Sequence, residues 1–527
     1  MKRRLFMQSA AAGAALLPAA CAVTTAVQND LKVEFSHGVA SGDPQMDAVI
    51  LWVRLSCETN RSVAVTCRVY ADETLSQLVV EKDTSTNAAA DYCAKLKVDG
   101  LQAGQRYFYQ FEAAGVLSPV GRTQTLPGEG AEKLRIAVVS CSNYPAGFFN
   151  TYRDIVNADN VDLVIHLGDY FYEYGADGYG GDIGQKLGRV VEPAHEVLSL
   201  DDYRKRHAFY RQDPDLMALH AKFPMVAIWD DHEVANDSWR EGAENHQEDT
   251  EGPFAERRLA ALQAYNEWMP ITFFDIEQGN IFRSLQAGDL LALHLLDTRL
   301  YGRDKQLDES QEIDMDVLKD PKRTLMGQQQ EAWLNQSLQD HQSAKWQVIG
   351  QQVLLAPLVM PDMEGVINEE GSAYISAAKI QEMIHVSKSN PPFGLDVWSG
   401  YPAARYRMYK TLAANTRNAV VLTGDIHTAI ASTLQLSEES EGLELVTTSV
   451  TSPGLGDYFT PTSETALADA VKGANPQVKH FNGRDKGWLR VEFTREQLVA
   501  EFNVVSTVYS PQFTSRIDFS ITRPLSE

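Results

Sequence analysis

Five near-continuous apolar runs mark the middle and C-terminal parts of the chain, at residues 134–140, 161–167, 225–229, 290–296 and 419–423. Each has the length of a strand, and unbroken apolarity in place of alternation is what a strand covered on both faces requires. Between them lie stretches such as residues 254–269, where apolar side chains recur at helical spacing and Arg257 and Arg258 are expected on a solvated face. Buried strands alternating with helices predict a layered α/β domain over residues 133–520. Upstream the pattern shortens. Short β-type runs at residues 47–54, 63–70 and 107–111 are separated by turn residues, and their spacing and partial alternation predict a small all-β sandwich over residues 33–127. Pro127-Gly128-Glu129-Gly130 reads as the linker between the two.

The residues at the end of each apolar run shift the picture from fold to chemistry. In layered α/β domains ligands collect at the carboxyl ends of the strands. Here the first run ends in Cys141-Ser142-Asn143-Tyr144 and the second in Gly168-Asp169-Tyr170-Phe171-Tyr172-Glu173-Tyr174. The third ends in Asp230-Asp231-His232-Glu233, with Asn236 and Asp237 close behind, and the last in Gly424-Asp425-Ile426-His427-Thr428. One Asp or His at a strand end is ordinarily a helix cap or a satisfied core group. Four such ends in one domain point to a shared metal-binding chemistry.

Composition adds limits. A chain of 527 residues exceeds the size of one ordinary core, so two domains are expected. A net charge of -24 argues against binding nucleic acid or an anionic membrane, both of which call for a basic surface. At the N-terminus, Lys2, Arg3 and Arg4 precede Leu5-Phe6-Met7 and a small-residue apolar run, which reads as a signal peptide over residues 1–22. The paired arginines resemble a twin-arginine signal, with a general secretory signal as the alternative. The implied partner is the twin-arginine export machinery, and the implied location is periplasmic or secreted. The run is too short to span a bilayer, and no other segment approaches the roughly 20 apolar residues that a crossing needs. Cys21 is a candidate lipid anchor, although Leu17 lies one position too far from it for a good acceptor motif. Cys57, Cys67 and Cys93 fall in the β-rich region, where an oxidising compartment would allow two of them to pair.

The segment at residues 101–109 looks like a fibronectin type III strand pair, in which a turn feeds an aromatic-rich strand. The four polar strand ends resemble the block pattern of calcineurin-like metallophosphoesterases, with informative departures. Cys141 stands in the first block, Tyr172 takes the place of the second block's last Asp, and Asp425 stands where a His is usual. Together with Ser41-Gly42-Asp43-Pro44, Leu296-Asp297-Thr298-Arg299 and Asp396-Val397-Trp398-Ser399-Gly400-Tyr401-Pro402, these departures resemble the alkaline phosphatase D (PhoD-like) family. Ser399 is a local mismatch, because the family usually carries Asp there.

The resemblance implies a metallophosphoesterase-type α/β sandwich behind a fibronectin type III-like module, hydrolysing phosphate esters at a binuclear metal centre. Two metals supply a strong oxygen nucleophile and positive charge for the phosphoryl oxygens. Thiolate and phenolate donors suit ferric iron, so Cys141, Asp169, Tyr172 and His427 are its implied ligands, with Asp169 bridging. Asp169, Asp231 and Asp425, with Asn236 as a further candidate, offer the oxygen donors that calcium prefers. His232 is a candidate to contact phosphate or protonate the leaving group, or to support Asp231. Arg299 is a candidate to grip a phosphate oxygen or to form an ion pair with Asp297 or a neighbouring carboxylate. Tyr170, Tyr174 and Trp229 read as packing, and residues 175–200 and 361–395 as loops over the site. The alternatives are a phospholipase-like phosphodiesterase on the same site and a cell-surface binding module with a vestigial metal site.

Overall fold

All five apolar runs form strands, and they divide between two large sheets. The computed structural model describes residues 31–308, 313–372, 375–459 and 463–526, so Arg3, Arg4 and Cys21 lie outside the described residues. The content is mixed α/β with several sheets. One sheet has nine strands and carries Lys133–Val139, Leu163–His166 and Met225–Ala227 side by side at its centre. The second has seven and carries Leu291–Leu295, Trp346–Gly350, Ala419–Thr423 and Glu441–Val446 in that order. Both central sets run parallel, with Ile165 level with Val138 in one and Ile349 level with Val421 in the other. Parallel strands put all their carboxyl ends at the same edge, and that fixes where a site can form.

One apolar cluster belongs to both sheets: Ile136, Val138, Ile165 and Val226 of the first meet Leu293, Val348, Val420 and Leu445 of the second. The opposite face of the nine-stranded sheet shares a cluster with helices that include Leu200–Tyr210 and Phe254–Trp268. That of the seven-stranded sheet shares one with Gly327–Asp340 and Pro402–Asn415. With about 1.5–3 kcal/mol for each large aliphatic side chain fully removed from water, these clusters hold the two sets of strand ends in one place. The described residues include no helix long and apolar enough to cross a membrane.

The N-terminal strands divide in a way that alternation alone does not predict. Val63–Tyr70, Leu78–Thr86 and Arg106–Ala113 lie in a separate five-stranded sheet, while Val39–Gly42, Ala48–Arg54 and Cys93–Asp99 extend the nine-stranded one. The join is a parallel pairing of Gly42 with Met225. Only glycine fits there, because a Cβ would collide with the carbonyl oxygens of Pro270 and Met225. Asp43 then accepts the Thr272 backbone N–H at 2.7 Å and pairs with Arg283 at 2.6 Å. Ser41-Gly42-Asp43-Pro44 thus stitches the N-terminal strands to the sheet that carries the site.

Two expectations are corrected. Cys57, Cys67 and Cys93 are free thiols, with Cys67 and Cys93 buried apolar side chains. Arg257 is buried rather than solvated, donating to the Tyr203 hydroxyl at 3.1 Å and pairing with Glu196 at 2.8 Å. The helix containing it covers the sheet through charged groups as well as apolar ones.

Candidate metal centre

The side chains just past the parallel strands converge at the shared carboxyl edge, and several reach it through left-handed backbone. Cys141, Asp169, Asp425 and His427 have φ of 62°, 54°, 65° and 53°. Non-glycine residues pay for such angles unless the surroundings impose them, and outliers of this kind concentrate at functional sites. Gly168, at φ 104°, lets the Asp169 turn press against Asp230, whose Cβ a side chain at 168 would strike. The Glu233 carboxylate ties the two turns together by accepting the N–H groups of Asp169 at 3.0 Å, Tyr170 at 2.8 Å and Asp230 at 2.8 Å.

Three groups of potential ligands result, each with its donor atoms within 4.8 Å of one another: Cys141, Asp169 and His427; Asp169, Asp231 and His232; Asp230, Asp231 and Asp425. Asp169 belongs to two of them and Asp231 to two. Tyr172 joins the first: its hydroxyl donates to Asp169 Oδ2 at 2.9 Å, lies 3.1 Å from His427 Nε2, and accepts from Ser452 Oγ at 2.7 Å. His427 Nδ1 lies 2.9 Å from the Pro453 carbonyl oxygen, which leaves Nε2 facing the cluster. Asn236 is held by its nitrogens. Its side-chain amide donates to Glu244 at 3.1 Å, and its backbone N–H to Glu173 at 2.8 Å.

The electrostatics call for cations. Burial and the surrounding carboxylates push Asp169 well above the usual carboxylate range, and Asp425 to about 8 despite Arg299. Burial and the neighbouring Asp169 also push the Cys141 thiol and the Tyr172 phenol up. Asp169 Oδ1, Asp230 Oδ2 and Asp231 Oδ1 are buried without a hydrogen-bond partner among the described residues. Orphaned carboxylate oxygens beside a buried thiol, a phenol and an imidazole are the donor set that metal ions satisfy, so the residues fit the implied ions.

His232 is buried and fixed by Glu173, whose Oε2 lies 2.7 Å from Nδ1. Burial disfavours the imidazolium, but Asp169, Glu173 and Asp231 outweigh it and raise the His232 pKa well above its ordinary value. Arg299 is fully buried and meets Asp230, Asp396 at 2.6 Å, Asp425 at 2.8 Å and Asp231 at 3.6 Å. Asp297 is not its ion-pair partner; that carboxylate accepts the Arg299 backbone N–H at 2.8 Å and the Trp229 indole N–H at 3.0 Å. Tyr170 and Trp229 are buried in the adjoining apolar cluster. Tyr174 lies 5.5 Å from the His232 ring, and Tyr179, from the 175–200 segment, lies 6.0 Å from that of Tyr172. Beside the centre opens a cavity of about 600 Å³ whose walls include Asp237, Trp239, Lys305 and Asp396.

Asp230, Glu173, Glu233 and Asp396 have positions here that their sequence motifs did not assign. Glu173, Asp230 and Glu233 stand in the quoted strand-end motifs, and Asp396 in the quoted stretch Asp396–Pro402. Extending the strand-end rule to every acidic residue in a motif would have flagged them, though not their separate contacts.

A carboxylate-rich cluster at the common edge of two packed sheets is the mark of a metallohydrolase. Comparison with known families makes the class specific: the model of the PhoD-like phosphatase family matches residues 136–502, and that of its N-terminal domain matches residues 20–127. The chain belongs to the PhoD-like phosphatase family and is a phosphoric ester hydrolase. It is 34% identical to alkaline phosphatase D of Bacillus subtilis (strain 168) over 92% of this chain and 80% of that protein. It also matches a solved structure described as the structure of PhoD, at 32% identity and a TM-score of 0.80, over 93% of this chain and 90% of that one.

Proposed function

We propose that the protein is an exported alkaline phosphatase/phosphodiesterase whose centre holds ferric iron and calcium. The observation that carries the reading is the sharing of Asp169 between a group with a thiol, a phenol and an imidazole and a group with Asp231 and His232, and the sharing of Asp231 in turn with the all-carboxylate group of Asp230 and Asp425. Cys141, Asp169, Tyr172 and His427 would hold the iron; Asp169, Asp231 and Asp425 would hold the calcium, with Asn236 a more distant candidate. When bound, the two ions would supply Lewis acidity for the phosphoryl oxygens and acidify a water. The chain's own residues do the rest. Glu173 orients His232, which as an imidazolium would donate a proton to the leaving-group oxygen. Arg299 holds Asp425, Asp230 and Asp396 at fixed positions, a positioning role in place of direct phosphate contact.

The finer fold and location readings belong to the same proposal. Residues 33–127 would be a fibronectin type III-like sandwich and residues 133–520 a layered α/β catalytic domain, a division that the two family matches support. Residues 1–22 would be a twin-arginine leader, Cys21 a lipid anchor, and the mature enzyme periplasmic or secreted. Changing Arg3 and Arg4 together to Lys is expected to leave precursor in the cytoplasm, and normal export of that variant would remove the twin-arginine reading.

Metal dependence is tested by reversibility. Ions held by carboxylate oxygens exchange more readily than iron held by thiolate and phenolate. A calcium chelator should abolish hydrolysis of a chromogenic phosphate monoester and a diester alike, and added calcium should restore both. Recovery with zinc and none with calcium would sink the assignment of the second ion.

A further inference from the structure

Four arginines are among the largest fully buried side chains: Arg206, Arg211, Arg299 and Arg303. A buried guanidinium stays charged, so each must find compensation inside the protein. Arg299 has its carboxylates and Arg303 has Asp396. Arg206 donates to the carbonyl oxygens of Tyr172, Glu192 and Pro193. Arg211, at the end of the helix Leu200–Tyr210, has nothing comparable.

Its Nη2 reaches the His37 carbonyl oxygen at 3.4 Å, a long bond, and its Nε and Nη1 have no partner among the described residues. The guanidinium lies 4.1 Å from the centre of the Trp52 ring, an attraction far smaller than the cost of an uncompensated buried charge. Asp213, two residues on, is engaged by Arg189 at 3.2 Å. The neighbours that most favour the Arg211 charge are the Tyr170 phenol, which also interacts with it as a hydrogen-bonding side chain, the Tyr109 phenol and the Cys93 thiol, all neutral at ordinary pH.

The rest of the lining is rich in unused donors. Both ring nitrogens of His207, Nδ1 of His37, Nδ1 of His220 and the Tyr109 hydroxyl are buried without partners among the described residues. Burial pushes His37 and His207 down to about 3, with help from Arg54 and Arg211 at His37 and from Arg211 at His207, so both imidazoles are neutral and each keeps one N–H. A fixed positive charge ringed by N–H and O–H groups, with no carboxylate at hand, matches an anion. Water would satisfy the donors and leave the charge unbalanced.

We infer that Arg211 holds a halide-sized inorganic anion in the interior, with Arg211 Nε and Nη1, a His207 ring N–H and the Tyr109 hydroxyl as its donors. The site lies at the seam where the N-terminal strand Ala48–Arg54, through Trp52, meets the helices Leu200–Tyr210 and Pro214–Lys222, which carry His207 and His220. It is separate from the metal centre, but Tyr170, whose hydroxyl lies 2.7 Å from His220 Nε2, comes directly after Asp169 and links the two.

Thermal melting in sodium chloride and in sodium gluconate at equal ionic strength tests the inference, because equal screening leaves specific binding as the difference. Chloride is expected to raise the Tm by about 1–3 °C, and Arg211→Met is expected to lose that gain. Crystals of the unaltered protein grown with sodium bromide should give an anomalous peak within hydrogen-bond distance of Arg211 Nε or Nη1, a readout that does not depend on the variant folding. Equal melting in both salts, a chloride effect that persists in Arg211→Met, or an ordered water with no bromide at that position would each overturn the site.

Discussion

Tyr172→Phe is expected to cost the enzyme its proposed iron, the visible absorption that a ferric phenolate or thiolate would give, and at least about 100-fold of kcat/KM, with little loss of stability. The substitution keeps the ring and its packing against His232, 4.1 Å away between ring centres, and removes one oxygen. That oxygen touches Asp169, His427 and Ser452 at 2.9, 3.1 and 2.7 Å, so its loss falls first on the thiol-containing group. Cys141→Ser should act in the same direction, since a neutral hydroxyl is a poor substitute for a thiolate. Metal analysis, the visible spectrum and steady-state kinetics check both variants. Wild-type iron and turnover in the two would mean that Cys141 and Tyr172 are inert packing, and the centre would have to be rebuilt on the aspartates and His427.

Arg299→Met should act on stability as well as on catalysis. It is close in volume but leaves Asp230, Asp231, Asp396 and Asp425 facing one another without their shared cation. Removing one partner from a buried ionic network costs about 3–5 kcal/mol, so a marked fall in Tm is expected, partly recovered when divalent cations are added. Arg299→Lys should recover less than charge alone suggests, because one ammonium cannot match the forked contacts of the guanidinium. An unchanged Tm in Arg299→Met, measured after chelation, would show that the arginine does not balance these carboxylates.

The strand framework was legible in the sequence because a strand covered on both faces has to be apolar throughout, and runs of five to seven residues are too short for a buried helix. The convergence of Cys141, Asp169, Tyr172 and His427 has the same origin, since parallel strands deliver their ends to one edge. What stayed hidden depends on distant pairings. The Asp230, Asp396 and Asp425 partners of Arg299 lie 69, 97 and 126 residues away, whereas the sequence offered Asp297 as a neighbour. Arg257 read as solvated because helical spacing counts apolar residues and cannot see that Glu196 and Tyr203 wait underneath. Alternation identified the N-terminal strands but carried no information about which sheet each would join.

The junction at Gly42 also bears on the order in which the molecule can be assembled. As the chain emerges from the ribosome, Gly42 waits for Met225, which comes 225 − 42 = 183 residues later. The strand Lys133–Val139 waits longer still, since its antiparallel neighbour is Lys486–Thr494, with Val138 opposite Leu489. The centre of the nine-stranded sheet therefore keeps an open edge on the Lys133–Val139 side until translation is nearly complete. Such long-range closure makes folding slow and leaves unpaired backbone exposed to other chains in the meantime. Synthesis of this protein should accordingly depend on cellular factors that shield incomplete sheets, more than its finished sheets would suggest.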